Sequence, residues 1–267
     1  MKAISTGNVY RIYDDTLKTY DKLPAQPYVV RFAMHTGFYL ERYSDIEITE
    51  DKIYGVHPEK VLKVLDSFSR YNRSLGVILS GDKGIGKSLF AKLLAIEAMK
   101  KGLPLIIVDR HIGGIASYLE SIEQEVMVLF DEFDKPHPVF HSAFYQLFDE
   151  GIYVDRNFTV KMKDSVIICT SNYMSEKEIR TALGEPIFSR FDAVIKFEKL
   201  NKEAIQKIME KEYDKQYSVL DETERGIIES YQIKDKILAL VEKLDNARQI
   251  RRIIREAFSA ALIRELL

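Results

Sequence analysis

The sequence predicts an α/β fold in which a parallel sheet flanked by helices is followed by a small helical domain and preceded by a β-rich appendage. Three observations carry this prediction. Five strand-length apolar runs between Leu75 and Phe197 alternate with segments of helical period, the pattern of βαβ units covered on both faces. From Asn201 onward, apolar residues recur only at helical spacing. Up to about residue 50, short β-branched and aromatic runs are separated by turn formers. The resulting boundaries are 1–50 for the appendage, 51–200 for the α/β domain and 201–267 for the helical domain.

Bulk properties set the limits. A chain of 267 residues that is 46% hydrophobic can bury a sizeable core. A formal charge of −2 and a pI near 6.3 give no global attraction to nucleic acid or to an anionic membrane. The only cysteine, Cys169, lies in the apolar run Val166-Ile167-Ile168-Cys169; it has no intrachain disulfide partner and suits a reducing, cytoplasmic setting. No stretch approaches the ~18 apolar residues of a membrane span, and the first seven residues lack an apolar signal core. Neither membrane insertion nor secretion is expected.

Taken in order, residues 9–13, 28–32 and 37–40 read as short strands. Seven of the fifteen tyrosines fall between Tyr10 and Tyr54, dense enough for a contact surface or for filling a small core. A helix is expected from Pro58 to about Asn72, with proline at its first position and Val61, Val64, Leu65 and Phe68 on one face. The first core strand, 75–79, then meets Gly81-Asp82-Lys83-Gly84-Ile85-Gly86-Lys87-Ser88, which fits G-x-x-x-x-G-K-[ST]. Leu89, Phe90, Leu93, Leu94 and Ile96 continue it as a helix over 88–101. A loop of this kind between strand and helix binds phosphate. Its glycines let backbone N–H groups close around the oxygens, the helix presents its positive end, Lys87 reaches the β- and γ-phosphates, and Ser88 can ligate Mg²⁺.

The remaining strands put polar groups at the same sheet edge. After an expected strand at 105–109 and a short helix at 115–123, Val126-Met127-Val128-Leu129-Phe130 runs into Asp131-Glu132, 44 positions beyond Lys87. Both carboxylates then stand at the carboxyl end of a buried parallel strand, where open α/β sheets bind ligands. Asp131 is placed to hold Mg²⁺ and Glu132 to take a proton from the attacking water. The strand 165–170 ends in Ser171-Asn172, whose carboxamide offers a donor and an acceptor to a γ-phosphate or lytic water. A fifth strand, 193–197, follows Phe188-Ser189-Arg190-Phe191-Asp192. In the helical domain Arg248, Arg251, Arg252 and Arg255 share one face of the last helix, either as a solvated, salt-bridged stripe or as a phosphate-facing one.

Over most of residues 46–267 the chain resembles the AAA+ ATPases, and most closely the C-terminal ATPase module of the Clp unfoldases. Residues 128–138 (Val-Leu-Phe-Asp-Glu-Phe-Asp-Lys-Pro-His-Pro), 144–151 (Phe-Tyr-Gln-Leu-Phe-Asp-Glu-Gly) and Thr170-Ser171-Asn172 are similar to that family's motifs in the same order. The resemblance implies ATP and Mg²⁺ as ligands, with Lys87 and Ser88 in the first nucleotide motif, Asp131 and Glu132 in the second, and Asn172 as first sensor. It further implies that Arg190 is an arginine finger reaching the γ-phosphate of a neighbouring subunit, that Arg248 is a cis phosphate contact, and that Ile53, Tyr54 and Gly55 lie against adenine. A homo-oligomeric ring or spiral, of about six subunits by family analogy, would act on a protein substrate or adaptor. A nucleic-acid motor and a nucleotide-dependent scaffold remain as alternatives. One departure stands out: where the family inserts a longer stretch with an aromatic-glycine pore loop, only Arg110-His111-Ile112-Gly113-Gly114 and a short helix are present, which read as a plain βα turn, with Ile112 as a reduced pore residue the alternative.

Overall fold

A computed structural model describes residues 2–6, 9–44, 46, 58–70, 73–109, 115–135, 152–155, 158–161 and 164–266. Its centre is a seven-stranded sheet. The strands are β3 (Pro27–Ala33), β4 (Gly37–Arg42), β5 (Leu75–Ser80), β6 (Leu105–Val108), β7 (Met127–Phe130), β10 (Val166–Thr170) and β11 (Ala193–Lys196), in the spatial order β11-β5-β10-β7-β6-β3-β4. All neighbours are parallel except β3 and β4. Because β5, β10 and β7 are adjacent and parallel, the loops that follow them leave the sheet at one edge.

Both faces of the central strands are buried, and the period of two sorts the side chains between them. On one face Leu75, Val77 and Leu79 of β5 and Val166 and Ile168 of β10 meet α1 (Pro58–Arg70) and α2 (Lys87–Lys100), through Val61, Leu65, Phe90 and Leu94. On the other, Ile78, Val128, Phe130, Ile167 and Cys169 meet α3 (Ile115–Glu120), α4 (Glu176–Leu183) and α5 (Glu185–Phe188), through Leu119, Ile179 and Ile187. Cys169 is fully buried, and desolvation pushes its thiol well above its ordinary pKa.

The helical residues after Leu200 form their own core. It is built by α6 (Lys202–Ser218), α7 (Glu222–Ser230), α8 (Ile233–Leu238) and α9 (Ala247–Leu266) around Met209, Ile228, Ile250, Ile254 and Phe258. Local chemistry starts these helices where polar residues precede an apolar run. Asn201 accepts from the Ala204 amide at 2.8 Å, and Asp221 with Glu224 closes a capping box on α7.

Three features differ from the sequence expectation. Residues 27–42 do not stand apart from the α/β sheet. They extend it, because β3 lies parallel to β6 with Tyr28 opposite Ile106, and Arg31 bonds Asp109 at 3.0 Å. The detached β element is the hairpin of β1 (Lys2–Thr6) and β2 (Val9–Tyr13), of which β1 was not anticipated. A second unanticipated hairpin pairs β8 (Ile152–Asp155) with β9 (Phe158–Lys161). Two β-branched and aromatic runs, Ile152-Tyr153-Val154 and Phe158-Thr159-Val160, were its available signal.

Candidate functional site

The phosphate loop is shaped by glycines at which any side chain would meet a clash or a strained backbone. Gly81 has φ +137, and a Cβ there would stand 2.6 Å from both the Ile85 side chain and the Phe197 carbonyl. Gly86 occupies the N-cap of α2 at φ +108, and no side chain caps that helix. The amides of Lys87, Ser88 and Leu89 are then those for which an α-helix has no internal acceptor, and they open onto the loop's concavity. An anion is the fitting partner for such a turn.

Lys87 is buried at 8% exposure, and its ammonium donates to the Gly81 carbonyl, to the Asp82 carbonyl at 2.7 Å and to Asn172 Oδ1 at 3.4 Å. Desolvation lowers its pKa from the ordinary lysine value, with Asp134, Asp82 and Asp131 opposing that shift. Asn172 in turn donates its Nδ2 to both oxygens of Asp134, at 3.1 and 3.3 Å. Asp134 therefore fixes which end of the Asn172 amide faces Lys87. Asp134 lies within the acidic motif, but its contact with Asn172 crosses from β7 to β10, and no local spacing reveals it.

The two acids at the end of β7 hang from one hydroxyl. Thr170 Oγ donates to Asp131 Oδ1 at 2.7 Å and accepts the Glu132 amide at 2.8 Å. Lys83 of the loop stands 3.6 Å from Glu132, an exposed pair of little energetic weight.

These groups line a cavity of about 720 Å³, within the usual range for a small-molecule site. Of the expected nucleotide residues, Lys83, Gly84, Ile85, Gly86, Lys87, Ser88, Leu89, Asp131, Glu132, Asn172 and Arg248 share it. Gly81 and Asp82 lie just behind, as acceptors for Lys87. The opposite wall comes from the helical domain: Leu200 and Ile208 supply apolar surface, and Arg251, Arg252 and Arg255 join Arg248. The arginine stripe thus faces the cavity. Ile208 escaped sequence reasoning because an apolar helix face reads as core, and Leu200 because it precedes that helix as one more apolar residue. Loop and helical wall touch directly, since Ala247 N donates to the Gly84 carbonyl at 3.2 Å. A Cβ on Gly84 would meet Asn246 Oδ1 at 2.8 Å and Arg248 Cβ at 2.9 Å.

Arg190 is not among the residues lining this cavity. It follows α5, and its guanidinium donates to the Pro186 carbonyl. The segment is pinned to β5: Asp192 N donates to the Gly76 carbonyl and Gly76 N to Asp192 Oδ2, both at 2.8 Å. Ile53, Tyr54, Gly55 and Ile112 lie outside the described residues.

A phosphate loop after one parallel strand, an acid pair at the end of a second, an asparagine at the end of the strand between them and an arginine-bearing helical wall have the layout of a P-loop nucleotide-binding site. Comparison with known proteins narrows the class. Residues 114–219 match the model of the AAA domain (Cdc48 subfamily). ATP-dependent Clp protease ATP-binding subunit ClpL of Staphylococcus aureus strain MRSA252 is 28% identical across 78% of this chain, and that of strain USA300 is 29% identical across 71%. The chain spans about a third of these relatives' length, 35% and 32% respectively. A cryo-EM reconstruction of Hsp104 in its closed state, with ATPγS and FITC casein, shares the fold at a TM-score of 0.53, with 17% identity over 76% of this chain and 44% of that one. In sequence the chain is thus similar to Clp-type AAA+ ATPases, and in fold to Hsp104.

Proposed function

We propose that this chain hydrolyses ATP at sites shared between copies of itself in a ring or spiral, of six subunits by analogy, and uses the cycle to remodel a protein partner. The observation that carries this reading is the single cavity that joins the phosphate loop, the acid pair, Asn172 and the helical-domain arginines, while Arg190 of the same chain lies outside its lining. In the proposed cycle Lys87 and the amides of residues 86–89 hold the β- and γ-phosphates, and Arg248 contacts them from the helical side. Glu132 takes the proton of a water as its oxygen bonds to the γ-phosphorus and the bond to the β-phosphate oxygen breaks. Asn172 orients that water. Arg190 of a neighbouring copy neutralises charge on the equatorial oxygens.

Asp131 and Ser88 suit Mg²⁺, an ion generally held by one or two carboxylates together with substrate phosphates. Held there, it would supply positive charge that offsets the charge on the phosphate oxygens. Ile53 and Tyr54 are proposed against adenine, with Leu200 and Ile208 as its apolar wall.

A protein partner is favoured over nucleic acid because the arginine stripe faces the nucleotide cavity, which removes the main local argument for an external phosphate surface. The N-terminal residues expose apolar side chains suited to an adaptor or protein substrate, with Tyr10 at 74%, Ile12 at 70% and Met34 at 91%. Among the described residues no helix is long and apolar enough to cross a membrane, and the buried Cys169 thiol accords with the cytoplasmic location we assign.

The test is Glu132→Gln. It should bind ATP with unchanged affinity while turnover falls by orders of magnitude. Hydrolysis at the wild-type rate would remove Glu132 as the base.

A further inference from the structure

We propose that Thr170 is a positioning residue for both acids of the site, holding Asp131 toward the metal and Glu132 toward the water through one hydroxyl. The inference rests on the hydrolytic reading above and adds to it a residue that touches neither phosphate nor water in that scheme.

The argument begins with the backbone. Glu132 has φ +50, one of two non-glycine residues at positive φ among those described. A side chain with a Cβ adopts this region only when its surroundings over-determine it. The carboxylate gains its direction from that turn: after the buried strand β7, the left-handed residue lets Asp131 and Glu132 both line the cavity while Phe133 returns to the core at 1% exposure.

Thr170 supplies the over-determination. Its carbonyl accepts the Phe133 amide at 2.8 Å, and its hydroxyl accepts the Glu132 amide at 2.8 Å. Consecutive amides on either side of the turn are thereby tied to one residue of the neighbouring strand. The same hydroxyl has one proton to give, and it goes to Asp131 Oδ1 at 2.7 Å. That bond leaves the other Asp131 oxygen for a cation. Thr170 is 4% exposed, so water does not substitute readily for either bond. Valine has threonine's shape but neither donor nor acceptor, whereas serine keeps the hydroxyl.

The experiment measures steady-state ATP turnover and, separately, equilibrium affinity for a fluorescent ATP analogue without metal, in the full chain. Thr170→Val should lower kcat by about 10- to 100-fold, the usual loss when a partner that orients a site ligand is removed. Its metal-free nucleotide affinity should stay at the wild-type value, and Thr170→Ser should restore most of the turnover. The proposal is overturned if Thr170→Val turns over like wild type, if Val and Ser lose equally, or if affinity and kcat fall together. Should the Val variant not fold, Thr170→Ala against Thr170→Ser makes the same comparison, because both lack the methyl and only Ser keeps the hydroxyl; equal rates overturn the proposal. A wild-type chain without turnover would instead refute the hydrolytic reading itself.

Discussion

Replacing Asp134 by asparagine isolates the electrostatic support beneath the candidate site. The Asp134 side chain is 6% exposed, accepts both contacts from Asn172 Nδ2 and stands 3.3 Å from Lys135 Nζ. Asparagine keeps the size and one acceptor oxygen, so the bond to Asn172 changes from charge-assisted to neutral. Net values of roughly 1.5–3 kcal/mol for the former and 0.5–1.5 for the latter leave a loss of about 1–2 kcal/mol. At about 1.4 kcal/mol per decade this is a fall of roughly 5- to 30-fold in any step that needs Asn172 held in place. A second effect has a definite sign. Asp134 is the largest of the charges that raise the Lys87 pKa, so its neutralisation moves that pKa further down. Turnover of Asp134→Asn should therefore be lower at neutral pH and should fail earlier on the alkaline side. The assay is a pH profile of kcat and kcat/KM beside a melting curve. Wild-type turnover with an unmoved alkaline limb would refute both the orienting role of Asp134 and its electrostatic support of Lys87.

Three further outcomes follow from the same geometry. Because the Lys87 pKa is lowered by burial and bound phosphate favours the ammonium, ATP affinity should be full at neutral pH; it should be lost as pH rises through a point below the ordinary lysine value of about 10.4, as equilibrium titrations at stepped pH would reveal. Gly84→Ala places a Cβ within 3.0 Å of Asn246 and Arg248 at φ +80. The left-handed strain alone costs about 1–2 kcal/mol, so nucleotide affinity should drop by roughly 5- to 30-fold; binding at wild-type strength would mean that the loop and helical wall need not touch. Arg190→Ala should keep nucleotide affinity and lose turnover, and mixing it with Lys87→Ala subunits should recover activity at intermediate ratios. No recovery at any ratio would count against a site completed by a second copy.

Much of this site was legible because its chemistry is local in sequence. Eight consecutive residues build the phosphate loop, and the strand end Phe130-Asp131-Glu132 announces its acids without help from the rest of the chain. What was hidden depends on pairing. That Pro27–Ala33 extends the sheet follows from its parallel match with β6, about eighty positions away, and a short β-branched strand carries no mark of its partner. Thr170 and Asp134 were visible as residues in quoted motifs, yet their roles arise from bonds between strand ends 38 or 39 positions apart. The arginine stripe kept two readings until the helical domain was seen to turn it toward the loop. The left-handed Glu132 has no sequence signature, since glutamate gives no hint of positive φ.

Strand β5 has a part to play beyond carrying the phosphate loop. It delivers that loop after Ser80, while near its other end Gly76 is doubly bonded to Asp192, two residues from Arg190. Six residues of extended backbone span about 20 Å, and a central strand bonded on both sides does not shorten or bend at small cost. Under the proposed roles, the strand would act as a strut with the phosphate loop at one end and the Arg190 segment near the other. In the proposed ring, a shift of the loop on loss of the γ-phosphate would reach the neighbour's site as a displacement of Arg190, with no flexible joint between them. Order of firing around such a ring would then be a mechanical property of each subunit's stiffest element.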